Sequence, residues 1–238
     1  MASEPAGHSV RKDVLRNRGK IVTAAQEIFA REGLEASLEP IARAAGVGNA
    51  TLYRHFPTRG ALWEAVLADP LREVLAVVDE ALRLESPRDG IARYLKGTLT
   101  IESRRGGFAA LMTTRYEHGL LLAELRGTIQ QGVDALVARA VEEKAIRADV
   151  TETDFAVIAV ALSTVVQATQ AVAPDVWQRM LGIVLDGLRP LDATPLPAPP
   201  LKPNQVWRAY TRSIAQRDTD STAPTSTKVP PADDECAE

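Results

Sequence analysis

The chain has 238 residues, a formal net charge of −3 and an apolar fraction of 45%, so it can form a sizeable globular core. No uninterrupted apolar run reaches the roughly 18 residues of a membrane span, and the first residues lack the apolar centre of a secretory signal. We therefore expect a cytoplasmic protein with no membrane partner. The single cysteine, Cys236, excludes an internal disulfide and a cluster of thiolate ligands.

The charge is unevenly distributed along the sequence. Residues 1–60 hold nine Lys and Arg against six Asp and Glu, whereas the rest of the chain holds nineteen against twenty-five. The first quarter is therefore basic although the whole chain is acidic, and it keeps nucleic-acid binding open as a function.

The sequence predicts an all-α fold of about nine helices. Apolar residues recur with helical period up to about residue 190, and no segment alternates with the period of two that is typical of strands. Residues 1–13 are predicted to be a flexible arm, flanked by basic residues. The first helix is expected from Val14, with its apolar face formed by Val14, Ile21, Ala25, Ile28 and Phe29.

Capping signals divide the rest of the chain into helices. Ser37 caps a short helix that ends before Gly46, and Thr58 caps a long helix that contains Pro70. The stretches "SPRD" (86–89) and "TETD" (151–154) are further helix starts. The remaining helices are predicted over 108–114, 120–143, 152–171 and 174–189.

The last fifty residues have a different composition. Nine of the fifteen prolines occur after Arg189, and Ser, Thr, Asp and Glu dominate the end of the chain. This composition buries too little apolar surface to fold, so residues 190–238 are predicted to be a largely disordered tail. Apolar residues at helical spacing predict one possible short helix within it, over 204–217.

The stretch "IARAAGVGNATLYRHF" (41–56) has the organisation of a helix-turn-helix. Gly46 forms the turn between two short helices, and Leu52 and Phe56, four residues apart, anchor the second helix to the core. At 100° per residue, Ala50 and Arg54 point most directly away from that anchor, with Thr51 and Tyr53 flanking them. These four residues are the candidates for contact with bases.

The same stretch resembles the TetR family of bacterial transcriptional regulators. The resemblance rests on "IARAAGVGNATLYRHFPTRGAL" (41–62) and on "AAQEIFAREG" (24–33). The matching positions in the first stretch are Ile41, Ala42, Ala45, Gly46, Val47, Thr51, Leu52, Tyr53, His55, Phe56 and Leu62.

The resemblance implies that residues 14–60 form the DNA-binding domain. It assigns base reading to Asn49, Ala50, Thr51 and Arg54 and phosphate contact to Tyr53, His55 and Arg59; Ser37 and Gly48 complete the candidate set. Gly48 stands where the family frequently has Ser, so Asn49 either caps the recognition helix or contacts a base. Arg59 keeps the charge of the usual Lys. The basic run at 11–20 is either a solvated face or an arm for the minor groove.

The resemblance further implies that residues 61–189 form a helical domain that binds a small-molecule effector and dimerises through helices 152–171 and 174–189. Candidate effector-pocket residues are Phe108, Met112, Tyr116, His118, Phe155 and Gln167. Each of them could instead be an ordinary residue of the core.

The function that the sequence favours is a homodimeric repressor that binds a palindromic DNA operator and is released by an effector. There are two alternatives: an activator of the same fold, and a ligand-binding helical dimer with little DNA affinity. We expect no enzyme, because the sequence has no phosphate-binding loop, no H-E-x-x-H motif and no nucleophile elbow. No cofactor and no metal are expected either.

Overall fold

The computed structural model describes residues 7–32, 36–105, 120–191, 193–202 and 204–205, which contain eight α-helices and no strand. The prediction of an all-α fold is confirmed. The short helix predicted over 108–114, and all but the first two residues of the one predicted over 204–217, lie outside the described residues. The helices are α1 (Gly7–Glu32), α2 (Leu38–Ala44), α3 (Asn49–His55), α4 (Arg59–Arg83), α5 (Pro87–Arg105), α6 (Leu120–Glu142), α7 (Glu152–Thr169) and α8 (Val176–Gly187).

The predicted capping residues bind the first turns of their helices, where backbone N–H groups have no partner within the helix. At α2, α4 and α5 a hydroxyl accepts from a backbone N–H, and at α7 a carboxylate accepts from the capping residue. The bonds are Glu39 N to Ser37 Oγ (3.4 Å), Ala61 N to Thr58 Oγ1 (3.1 Å), Asp89 N to Ser86 Oγ (3.2 Å) and Thr151 N to Asp154 Oδ2 (2.8 Å).

Helix α1 is longer than the sequence predicts. It begins at Gly7, so residues 7–13, expected to belong to a flexible arm, are helical. Val14 was expected on the apolar face, but its side chain is 43% exposed and that of Leu15 is 70% exposed. From residue 13 onwards, the first buried residue of α1 is Ile21, and α1 packs against α2 and α4.

Helix α4 packs against α1 near its start and against α5 and α6 further along. Its second half lies so close to α5 and α6 that only glycine fits at the contacts. A Cβ on Gly90 would lie 2.8 Å from the carbonyl oxygen of Ala81, and one on Gly132 would overlap the side chain of Val78. The second half of α4 is therefore fixed in the larger domain by close backbone contact.

Part of the predicted tail is bound to the domain. Over residues 193–202 the structure differs from the predicted disorder, because polar groups of the α6–α7 connection and of the first turn of α7 bind this segment. Asp149 Oδ2 accepts from Leu196 N (3.2 Å), and Thr153 Oγ1 donates to the carbonyl oxygen of Leu201 (2.8 Å). Arg147 donates to the carbonyl oxygen of Thr194 and also binds Asp149, which lowers the pKa of that carboxyl to about 2.

Helices α7 and α8 leave much of their apolar surface uncovered. By length and composition alone, the 18 residues of α7 are apolar enough to cross a membrane, although the sequence has no uninterrupted apolar run of that length. Only 28% of these residues are buried. Ile183 of α8 is 57% exposed, and the neighbouring Met180 and Val184 are half-buried. An apolar surface of this kind on a globular protein marks a site of association.

The glycine contacts predict opposite effects for two substitutions on α6. Gly132→Ala places a methyl group against Val78, and such overpacking lowers the free energy of unfolding by about 1 to 3 kcal/mol. Gly127→Ala is the matched control, since a Cβ there meets nothing within 4 Å and alanine favours the helix by about 1 kcal/mol. Urea unfolding measures both, and equal effects would contradict the close packing of α4 on α6.

Candidate nucleic-acid interface

The turn between α2 and α3 has the geometry that the sequence predicts. Gly46 has φ of +66°, which a side chain at that position would strain. Two backbone hydrogen bonds close the turn, from Gly46 N to the carbonyl oxygen of Arg43 (3.1 Å) and from Val47 N to that of Ala42 (3.0 Å). Ala42 is buried at the crossing, so α3 starts at a fixed angle to α2.

Helix α3 is held by its two anchors and presents its other side to solvent. Leu52 is 1% and Phe56 2% exposed, as predicted. Ala50 and Arg54, expected to face away from this anchor, are exposed, and of the two flanking residues Tyr53 is exposed and Thr51 half-buried. Asn49 is exposed as well. Tyr53 in particular has 52% of its surface accessible.

The first turn of α3 answers the question left open about Asn49. Gly48 is the N-cap, with φ of −75° and ψ of 152°, and no side chain caps the helix. Asn49 is already the first helical residue and its side chain is exposed. Asn49 is therefore not the cap, and its amide group remains available for a contact outside the protein.

Three of the residues predicted to contact DNA have side chains that bind other protein groups or are enclosed by protein. The Arg59 guanidinium donates from Nη1 to the carbonyl oxygen of Ala36 (2.7 Å), so it joins the start of α4 to the segment before α2. The Ser37 hydroxyl caps α2. The Nε2 atom of His55 is enclosed by protein and has no hydrogen-bond partner among the described residues, so this geometry does not present it to a phosphate.

A contact that the sequence analysis did not anticipate ties α1 to the end of α3. The Arg18 guanidinium lies 5.2 Å from the centre of the Phe56 ring, in the arrangement of a cation–π interaction. Its two partners are 38 positions apart in the sequence, so no local pattern indicates it. The exposed part of α1 therefore begins beside the helix that carries Tyr53 and Arg54.

The predicted effector-pocket residues are only partly described. Phe108, Met112, Tyr116 and His118 lie outside the described residues. Phe155 is fully buried in the larger domain. Gln167 is exposed on α7 and donates from Nε2 to Glu102 Oε1 (2.9 Å) on α5.

The larger domain also holds buried polar groups that the sequence analysis missed. Glu102 is 1% exposed, and burial raises the pKa of Tyr94 to about 12 and lowers that of Arg126 to about 10. Glu102 lies on the same buried side of α5 as Ile91 and Leu95. A carboxylate at a position where the helical pattern expects an apolar residue could have indicated a buried polar group from the sequence.

The helix-turn-helix and the larger helical domain together define a DNA-binding regulatory protein. The family model described as bacterial regulatory proteins, tetR family, matches residues 21–66. A second model, described as the C-terminal domain of SbtR-like transcriptional regulators, matches residues 86–190. The two matches cover more than half of the chain, which therefore belongs to the TetR family of transcriptional regulators.

Individual relatives agree with this family. The TetR transcriptional regulator SCO0520 of Streptomyces coelicolor is 33% identical over 73% of this chain and 99% of its own, with a TM-score of 0.48. A tetR-family regulatory protein from Rhodococcus RHA1 shares the fold with a TM-score of 0.57 at 18% identity, over 74% of this chain and 98% of its own. The transcriptional activator FasR of Mycolicibacterium smegmatis is 36% identical over 83 residues, which are 33% of this chain and 38% of FasR.

The geometry of the turn predicts opposite effects at its two glycines. Gly48 has an extended backbone and open space for a Cβ, so Gly48→Ser adds the missing cap and raises the free energy of unfolding by about 0.5 to 1 kcal/mol. A side chain at Gly46 would also have open space, but Gly46→Ser requires a serine at φ of +66°. It therefore lowers the free energy of unfolding by about 1 kcal/mol. Thermal unfolding of the two variants is the measurement, and destabilisation by Gly48→Ser would show that α3 is not capped at this residue.

Proposed function

We propose that the protein is a homodimeric repressor that binds a palindromic DNA operator through α3 and leaves it when a small molecule binds the larger domain. The observation that carries the proposal is the solvent-facing surface of α3, which presents Asn49, Ala50, Tyr53 and Arg54 while Leu52 and Phe56 hold the helix in place. Arginine and asparagine form the bidentate contacts by which proteins read guanine and adenine. The Tyr53 hydroxyl is suited to a phosphate oxygen.

The dimer is proposed from the uncovered apolar surface of α7 and α8. Ile183 with Met180 and Val184 continues this surface along α8. The apolar residues of α7 that are exposed or half-buried are Ala, Val and one Ile. Two such helices from each protomer form a four-helix contact, an arrangement with the two-fold symmetry that a palindromic site requires. Two α3 helices would then lie about one turn of DNA apart, roughly 34 Å.

Release by an effector is proposed from the way α4 joins the two domains. The second half of α4 is fixed against α5 and α6, and its first half packs against α1 of the DNA-binding domain. A ligand that shifts α5 or α6 would therefore change the direction of α4 and the separation of the two α3 helices. Buried Glu102 and its partner Gln167 lie in this larger domain and would favour a ligand with hydrogen-bond donors.

Activation of transcription is the second candidate, because the relative FasR is named as an activator. A cytoplasmic location follows from either role. Sequencing of the DNA that co-purifies with the protein in cells gives the operator and its promoter. If the protein is a repressor, deletion of its gene should raise expression from a reporter under that promoter. If it is an activator, the same deletion should lower that expression.

Arg54→Ala and Tyr53→Phe test the DNA-reading surface. In gel-shift titrations on the recovered operator, Arg54→Ala should weaken binding by about 10- to 100-fold and relax the preference at one base pair of each half-site. Tyr53→Phe should weaken binding to all sequences alike, because only a phosphate contact is lost. The control is Arg83→Ala, which removes the same charge from the far end of α4. Operator binding unchanged in Arg54→Ala would overturn the assignment of this face.

Ile183→Glu tests the dimer. A carboxylate at the centre of the apolar surface would be buried without a partner in the dimer, so the variant should sediment as a monomer at concentrations where the unmodified chain is dimeric. Leu84→Glu is the control, since Leu84 is exposed at the end of α4, away from α7 and α8. Analytical ultracentrifugation measures both, and a dimeric Ile183→Glu variant would place the interface elsewhere.

A further inference from the structure

Helix α1 extends well beyond the domain to which it belongs. Fourteen helical residues, Gly7 to Lys20, precede the fully buried Ile21, and they span about 21 Å at 1.5 Å per residue. From residue 13 onwards their side chains are exposed, apart from the half-buried Asn17. The family match covers residues 21–66, so it begins directly after this extension.

The extension carries all of the basic excess of the DNA-binding region. Residues 7–20 hold five Lys and Arg and one Asp, whereas residues 21–60 hold four Arg and four Glu. The single acidic residue, Asp13, pairs with Arg16 at 2.9 Å, but both side chains are more than half exposed, so water weakens this pair. The helix-turn-helix by itself is therefore neutral, and the attraction to a polyanion comes from the extension.

The structure places this charge beside the DNA-reading helix. The Arg18 guanidinium lies over the ring of Phe56, the buried residue that ends α3. Because α1 is one unbroken helix from Gly7, the residues before Arg18 keep a fixed direction relative to α3. The extension therefore leaves the domain next to the end of α3.

We propose that the Gly7–Lys20 extension binds the phosphates of the duplex on the flank of the operator; this rests on the proposed function of α3. An α-helix with its side chains is about 10 to 12 Å across, and the minor groove of B-DNA is about 6 Å wide. The extension therefore lies along the backbone and does not enter the minor groove as an unfolded arm would. It adds affinity that depends on salt, and it does not change which sequence is bound.

The test removes three charges from the extension of the full-length chain. The variant Arg11→Gln/Lys12→Gln/Arg16→Gln keeps residues that favour helix, and circular dichroism verifies that the helix persists. Its affinity for a 40-base-pair duplex of mixed sequence and for the recovered operator is measured by fluorescence anisotropy over a range of NaCl concentrations. The slope of log affinity against log salt should become shallower by about 0.9 for each lost phosphate contact, or about 2 to 3 per protomer.

The matched control is Arg88→Gln/Lys96→Gln/Arg179→Gln, which removes three exposed charges from the larger domain and should leave the slope unchanged. Asp13→Asn should act in the opposite direction and tighten binding, because it removes the only acidic residue of the extension. Discrimination between the operator and the mixed duplex should stay within about twofold in all variants.

The outcomes separate the two proposals. If the unmodified chain binds DNA and the triple variant of the extension has the same affinity and salt slope, the extension is only a solvated helix and the inference is wrong. A loss of discrimination in that variant would also overturn it, since base contacts would then be involved. If the unmodified chain recovers no operator and binds neither duplex, the proposed function itself fails.

Discussion

The close packing of α4 against its neighbours is the constraint on which the other features depend. The contacts at Gly90 and Gly132 leave no space for a side chain between α4 and the helices of the larger domain. At its start the same helix buries Leu62 and Val66 in the core and packs against α1, which belongs to the DNA-binding domain. One continuous helix is therefore packed against both domains, and the buried residues of the two domains form one continuous core. Packed interfaces shift between discrete arrangements and do not deform gradually, so a change on one side of α4 would be transmitted to the other under the proposed release by an effector.

The position of α3 depends on a small number of local features and one distant contact. The left-handed conformation of Gly46 sets the angle of the turn, and burial of Leu52 and Phe56 fixes the rotation of the helix. Arg59 then joins the start of α4 to the carbonyl oxygen of Ala36, which positions the segment leading into α2. The Arg59 side chain is therefore engaged within the protein and helps to place α2.

The sequence predicted the features that are local and missed those that join distant segments. Helix starts at Thr58 and Ser86 follow from hydrogen bonds within four residues, and the anchoring of α3 by Leu52 and Phe56 follows from their spacing. The binding of residues 193–202 to the domain does not follow from a local pattern, because the proline-rich composition indicates only that this segment cannot fold alone. Its partners, Arg147 and Asp149, are almost fifty residues away. The hydrogen bond from Arg59 to Ala36 and the stacking of Arg18 on Phe56 were missed for the same reason.

The length of α1 was underestimated for a different reason, and it changes how the charge of the protein is understood. A helix is usually predicted from its apolar face, and residues 7–13 have none, so their basic and polar character favoured a flexible arm. In an unfolded arm the charges would be spread over many conformations. In a helix tied to α3 through Arg18 they keep one direction, while the remaining 178 residues after position 60 carry a net charge of −6. Under the proposed function, this separation of charge along the sequence would orient the molecule toward a polyanion before any base is contacted.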